Sequence, residues 1–334
     1  MEGIQKVFEY LKKGGYKIFG PKEQDGELHI LVLDEAPPAE LLNKVSDRPY
    51  KYFFTPAREI LLNFKKSKIS APKNEKPKIA FFGMSIFDCK ALELYDEVFK
   101  DDFYYQERRK NILAIGYSSQ PLKNYKTIFF EIDLGSAVFD IFIESAKLYA
   151  RGKAGEKILK RCGLKYKSIE YKQNKEDPAS LVFRVKLRDN TLKLRGVDKK
   201  ILAIKKAVEN SAESKLWDEL GKICLACGKC TIACPTCYCF DLESKIGPDC
   251  RTERCAGNCF YDDFTRIAGG HKFLNNPKEK IFFWYYHKFV RIPFGYGLPG
   301  CTDCGRCTAV CPVGINIKKN IERLLREVKS KNEK

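Results

Sequence analysis

Histidine is scarce in this chain: His29, His271 and His287 are the only three in 334 residues. That is thin material for an acid–base centre, and no nucleophile stands beside a base in a recognisable pattern. A glycine-rich dinucleotide fingerprint of the usual kind is missing as well. No catalytic residue is therefore assigned. Long apolar runs are lacking too. The longest aromatic stretch, "IFFWYYHKFV" from Ile281 to Val290, is far too short to span a bilayer and has a charge inside it, which fits a core or interface segment and no membrane span. The opening "MEGIQKVFEYLKKGG" breaks its apolar residues with charges every few positions, so it reads as a retained, soluble N-terminus. Before position 200 the only cysteines are Cys89 and Cys162. A chain of this length can bury its cores without disulfide staples. In the reducing cytoplasm expected for it, clustered cysteines are more often metal ligands than disulfides.

A formal charge of +18 raises the question of nucleic acid. The lysines are scattered, as in "KKSKISAPKNEKPK", and no helix-turn-helix pattern or aromatic RNA-binding signature accompanies them. Solvated faces, or a basic exterior turned toward an acidic partner subunit, account for them better. A nucleic-acid-binding module is the weakest of the readings considered, and no nucleic-acid partner is expected.

Thirteen of the fifteen cysteines lie between Cys224 and Cys311, six of them in "CLACGKCTIACPTCYC" at 224–239. That asymmetry divides the chain near residue 200. In the first part, Ile4, Val7, Phe8 and Leu11 make one helical face ended by Gly14 and Gly15. "ELHILVLD", "PKIAFFG", "NILAIGY" and "KTIFFEIDL" are short apolar runs suited to buried strands, and "AVFDIFIESAKLYARG" reads as a helix after the last of them. Interleaved strands and helices predict an α/β domain over 1–200. "KQNKEDP" at 172–178 reads as a loop before a strand in "LVFRVKL", and Asp198–Leu220 as a helix that delivers the chain to Cys224.

The spacing Cys-x2-Cys-x2-Cys-x3-Cys-Pro occurs twice, at Cys224, Cys227, Cys230, Cys234 and Pro235, and at Cys301, Cys304, Cys307, Cys311 and Pro312. Three thiolates two residues apart can wrap one face of an iron–sulfur cubane, while Gly228 and Gly305 let the backbone approach closely. In two-cluster ferredoxins the fourth cysteine ligates the other cluster. That rule predicts two 4Fe–4S clusters: one on Cys224, Cys227, Cys230 and Cys311, the other on Cys301, Cys304, Cys307 and Cys234. Structural zinc sites use four ligands, usually as two separated pairs, and need neither the third close cysteine nor the terminal Cys-Pro.

The sixty-six residues between Cys234 and Cys301 far exceed a small ferredoxin's linker. "INIKKNIERLLREVK" reads as a helix with Ile317, Ile321, Leu324, Leu325 and Val328 on one side. The expectation for 201–334 is a mainly helical, two-cluster domain of the alpha-helical ferredoxin type with an insertion at 240–300. Five cysteines remain, Cys237, Cys239, Cys250, Cys255 and Cys259. A third cluster on Cys237, Cys239, Cys259 and Cys255 is one reading, and buried or spare thiols are the other. His271 in "AGGHKF" is read as a hydrogen-bonded structural histidine.

These residues resemble the beta subunits of archaeal soluble hydrogenases, or sulfhydrogenases, and the A subunit of anaerobic sulfite reductase. The matching elements are "FFTPAREIL" with Pro56, Arg58 and Glu59, "FFGMSIFDCKALELYD" with Gly83 and Asp88, "YYQERRKNILAIG" with Arg108 and Arg109, and the cysteine motifs with "CPTC" and "AGGHKF". Where that family carries a cysteine before the aspartate, this chain has Phe87. The resemblance implies an electron-transfer subunit of a heteromeric oxidoreductase. Its partners would be a flavin/NAD(P)H-binding subunit and a catalytic subunit of the nickel–iron hydrogenase type, or another reductase or dehydrogenase. Direct reduction of sulfur, polysulfide or sulfite is the alternative function.

Overall fold

The computed structural model of the chain describes residues 2–42, 44–65, 68–72, 77–171, 183–186, 191–194, 199–247 and 250–332. Its strands are β1 (Lys17–Gln24), β2 (Glu27–Val32), β3 (Arg58–Lys65), β4 (Lys68–Ser70), β5 (Ile79–Met84), β6 (Ile112–Ser118), β7 (Ile141–Glu144), β8 (Lys147–Ala150), β9 (Lys167–Ser168), β10 (Phe183–Lys186), β11 (Thr191–Leu194), β12 (Phe240–Lys245) and β13 (Arg251–Ala256). Seven form one mixed sheet in the order β2-β1-β5-β6-β7-β8-β9. Its centre, β1-β5-β6-β7, is parallel, and the β1–β2 and β7–β8 pairs are antiparallel. β6 is buried at every position, as expected of a central parallel strand covered on both faces.

The helix Glu2–Lys13 packs Ile4, Val7, Phe8 and Leu11 on one face of this sheet, and Phe8 meets Phe82 edge-on with ring centroids 5.5 Å apart. Beside it the helix Gly152–Arg161 contributes Ile158 and Leu159. The other face is covered by the helix Ile86–Val98 with Tyr50, Phe54, Tyr95 and Tyr105. Two expectations are corrected here. "AVFDIFIESAKLYARG" is not a helix but the β7–β8 hairpin: Ile141, Phe142 and Ile143 are β-branched or aromatic residues suited to a strand, and Ser145 turns the chain at φ 54°. The helix begins only at Gly152. "KTIFFEIDL" contains no strand. Its Phe129 and Phe130 leave the sheet and bury among the C-terminal helices, where Phe129 stacks on Phe289 at 5.6 Å.

The predicted helix toward Cys224 is two helices, Lys199–Glu209 and Lys215–Ile223; the Ser214 hydroxyl accepts the Leu216 N–H and caps the second. Further on lie the helices Pro277–Tyr286, Ile292–Tyr296 and Ile317–Asn332, with a single π-helical turn at His287–Arg291. "IFFWYYHKFV" is therefore core: Ile281, Trp284, Tyr285, Phe289 and Val290 are all buried. The insertion also carries strands. β12 and β13 form a hairpin whose second strand pairs with β3 of the N-terminal part, giving an antiparallel sheet β12-β13-β3-β4. "KQNKEDP" lies outside the described residues. No helix among the described residues is long and apolar enough to cross a membrane.

Candidate metal centre

The helix Lys215–Ile223 ends where Cys224 turns extended. The chain then takes the left-handed region at Ala226 (φ 50°) and Gly228 (φ 73°) before the short helical turn Lys229–Ile232. The second motif repeats this, with Asp303 (φ 57°) and Gly305 (φ 78°) before Arg306–Ala309. Each left-handed residue reverses the local path, which is how cysteines two apart can face one volume. For Ala226 and Asp303 that conformation costs about 1–2 kcal/mol each, a strain of the kind found at functional sites.

One cavity is lined by Cys224, Cys227 and Cys230 together with Cys311, and also by Cys307. Another is lined by Cys301, Cys304 and Cys307 together with Cys234. Each brings three cysteines of one motif to the fourth of the other. All fifteen cysteines are free of disulfides. Backbone N–H groups donate to three of the sulfurs: Ala226 to Cys224 at 3.4 Å, Thr236 to Cys234 at 3.4 Å and Ile315 to Cys311 at 3.3 Å. Donors aimed at sulfur are the arrangement a thiolate or a bound cluster needs.

Electrostatics separates these thiols. Burial pushes up the Cys230, Cys301, Cys304 and Cys307 thiols, because the thiolate loses its water, and this outweighs the Lys288 charge near Cys301 and Cys307 and the Arg306 charge near Cys304. Cys234 goes the opposite way. Burial would raise it, but contact with Cys237, the charges of Lys288 and Lys51, and the Thr236 hydroxyl hold it well below the usual thiol value. Lys288 sits on the π-helical turn, 2% exposed, and its Nζ donates to Cys234 Sγ at 3.0 Å, Thr236 Oγ1 at 2.7 Å and the Gly300 carbonyl at 2.8 Å. Lys51, from the N-terminal part, is buried with its Nζ on the carbonyls of Thr231 (2.9 Å) and Cys237 (3.1 Å). Neither ammonium has a carboxylate partner among the described residues. A buried cation without a counter-ion is costly, so the residues fit an anionic group held on these sulfurs.

The second motif is also tied to the first part of the chain. Arg306, between Cys304 and Cys307, holds Asp88 through two hydrogen bonds, Nη1 to Oδ1 at 2.7 Å and Nη2 to Oδ2 at 3.0 Å, and its Nε reaches the Ser46 carbonyl at 2.8 Å. On β3, Arg58 pairs with Glu253 at 2.5 Å, and Glu59 pairs with Arg108 and with Arg254. Thus Asp88, Arg58 and Glu59, singled out in the sequence without a role, join the two parts, while Arg108 braces Glu59 from within the first. Arg109 pairs instead with Asp96 at 3.0 Å. Sequence reading missed Lys288, Lys51 and Arg306. The signal for Lys288 was the charge inside the aromatic run.

The remaining cysteines divide. Cys237 lies against Cys234, and Cys239 and Cys259 are near enough to influence each other's charge. Cys255 turns to Glu243 and Glu253, with ligand atoms within 4.8 Å of one another, so the structure does not group it with the other three. Cys237 and Cys239 also line a cleft of about 830 Å³ between the two parts, together with Lys51, Tyr52, Tyr238 and Asn258. His271 stands exposed beside the turn Ala268–Gly270, its carbonyl accepting the Ile267 N–H, and lines neither of the cavities enclosed by the repeated motifs.

A family model described as a 4Fe–4S dicluster domain matches residues 223–315, and such a domain carries two 4Fe–4S clusters. The chain is thus an iron–sulfur protein with an α/β region before its dicluster domain. Over 339 aligned residues it is 26% identical to sulfhydrogenase 2 subunit beta of Pyrococcus furiosus, covering 97% of this chain and 96% of that one, and the two are homologues. No solved structure matches the chain.

Proposed function

We propose that this chain is the electron-transfer subunit of a multisubunit oxidoreductase, standing between a flavin/NAD(P)H-binding subunit and a catalytic subunit of the nickel–iron hydrogenase type. Cys224, Cys227, Cys230 and Cys311 would hold one cluster, and Cys301, Cys304, Cys307 and Cys234 the other. When bound, each cluster supplies one-electron chemistry, which lets a pair divide the two electrons of a flavin or hydride donor. The protein's own part is to fix the sulfurs, exclude water and set the surrounding charge. Residues 201–334 are read as a ferredoxin-like unit of the helical type with its insertion at 240–300, and 1–200 as the α/β unit that docks partners, in the cytoplasm. The observation that carries this reading is the exchange of fourth cysteines between the two cavities.

Anaerobic iron and sulfide counting, with electron paramagnetic resonance of the reduced protein, tests it. About eight irons per chain are expected, or about twelve if Cys237, Cys239 and Cys259 help hold a third cluster. Zinc in place of iron in protein purified without oxygen would sink the reading.

A second reading is supported by the cleft that reaches Cys237 and Cys239: direct reduction of sulfur, polysulfide or sulfite there. Polysulfide turnover by the isolated reduced subunit at the rate of the whole complex would favour it.

A further inference from the structure

The two motifs repeat in spacing and backbone, yet their fourth cysteines have different neighbours. Cys311, half-buried, accepts the Ile315 N–H at 3.3 Å. Cys234, buried, accepts the Thr236 N–H at 3.4 Å and in addition the Lys288 ammonium at 3.0 Å. Lys288 is fixed there. It spans from the π-helical turn to the Thr236 hydroxyl and the Gly300 carbonyl, and Thr236 Oγ1 itself donates to that carbonyl at 2.7 Å. A π-helical turn inside an otherwise helical stretch changes side-chain direction and often marks a functional site. Here it carries a lysine inward from an aromatic helix. Packing cannot be its purpose, since an apolar side chain would fill the space without the cost of burying a charge.

Resting on the ligand assignment proposed above, we propose that Lys288 sets the redox asymmetry of the pair: its fixed charge on Cys234 raises the midpoint potential of the Cys234/Cys301/Cys304/Cys307 site above that of the Cys224/Cys227/Cys230/Cys311 site. Added negative charge on a cluster is stabilised by a donor and a cation at its sulfur, and net charge and sulfur hydrogen bonds are among the factors that set such potentials. Burial of Cys234 and Cys301 would by itself disfavour the extra electron, and Lys288 reverses that order. An electron entering the pair then rests on the enclosed site, while the site with the exposed Cys227 is emptied first. Lys288 is a positioning residue, acting through the Cys234 sulfur.

Redox titration of the full chain, followed by electron paramagnetic resonance, tests this. In the wild type, two midpoints should separate, and the higher should be the one altered by Cys304→Ser; coincident midpoints, or the higher one surviving that change, overturn the inference. Lys288→Met, which keeps the length and removes the charge, should lower only that midpoint. At a fixed poise the ratio of reduced to oxidised site should fall about tenfold, equivalent to ~59 mV for a one-electron couple. Lys288→Arg should keep most of the wild-type value. If Lys288→Met does not load iron, Lys288→Gln is titrated in its place, and a wild-type order opposite to the expected one overturns the idea without any variant. Unmoved or equally moved midpoints in a fully loaded variant refute it, leaving the eight-iron relay intact. A wild type with clearly fewer than about eight irons refutes the relay instead.

Discussion

Replacing Asp88 with asparagine should loosen the second cysteine motif from a distance, because Asp88 is the counter-ion of an arginine embedded in that motif. The Arg306 and Asp88 side chains are 2% and 5% exposed, and two charge-assisted bonds of 2.7 and 3.0 Å join them in a bidentate pair. The amide side chain keeps the shape and removes the charge. Arg306 would then lose its carboxylate and keep the Cys304 sulfur, a neutral amide oxygen and the Ser46 groups, its Nε on the carbonyl and Nη2 3.4 Å from Oγ. Stranding one member of a buried pair costs about 3–5 kcal/mol. The same order follows from losing two charged hydrogen bonds at ~1.5–3 kcal/mol each. Iron–sulfur proteins lose their clusters irreversibly on unfolding, so the rate of bleaching of visible absorbance in anaerobic guanidinium is the quantity to measure. At about 1.4 kcal/mol per tenfold, bleaching should accelerate by roughly two to three powers of ten if the pair is broken at the barrier. The double change Asp88→Asn with Arg306→Met should recover much of this, since neither charge remains to be stranded. A single variant within about threefold of wild type, or a double variant no slower than the single, would refute the reasoning.

Cys304→Ser should lower the iron count from about eight to about four per chain and slow transfer between flavin donor and terminal acceptor, while co-purification with partners is kept. Gly228→Ala should impair cluster loading more than Gly305→Ala: both are left-handed, but a Cβ at 228 would lie 2.1 Å from Asn258 Nδ2 whereas none of the neighbours stands within 4 Å at 305. Iron content of the two variants reads the difference. Burial, with the nearby Lys288 and Arg291 charges, pushes His287 down to about 4. The folded chain therefore binds fewer protons than the unfolded one between about 4 and 6.5. This contribution is whole above that window and is lost as pH falls through it. Bleaching rates measured across pH 4–7 should show that loss in wild type and a shallower dependence in His287→Phe, and identical profiles would sink the assignment.

The cysteine repeat was legible because its signal is local: eight residues at fixed spacing, with Gly228 and Gly305 in corresponding places. The central strands β5 and β6 were legible as unbroken apolar runs. "AVFDIFIESAKLYARG" misled because its alanines and charges fit a helix, while the residue that decides, Ser145 at positive φ, carries no distinctive sequence mark. Lys288 was visible as a charge among aromatics, but the sulfur it contacts lies 54 residues away. The partner of Asp88 lies 218 residues away. Such contacts obey no periodicity, and neither does the pairing of β3 with β13. The family resemblance marked Asp88, Arg58 and Glu59 as worth attention; only the three-dimensional arrangement gives them partners.

That β3–β13 pairing bears on how the molecule is made. Arg58 and Glu253 face each other from 195 residues apart, so during synthesis β3 waits with one edge bare until the cysteine-rich half has emerged. Contacts this distant form late, and an open strand edge invites pairing with another chain. A fragment cut near residue 200 would keep that edge, with Glu59 and Asp88 deprived of Arg254 and Arg306. The two halves are consequently a single heritable unit: recombination could not exchange the N-terminal half for another without also exchanging the hairpin that closes its sheet.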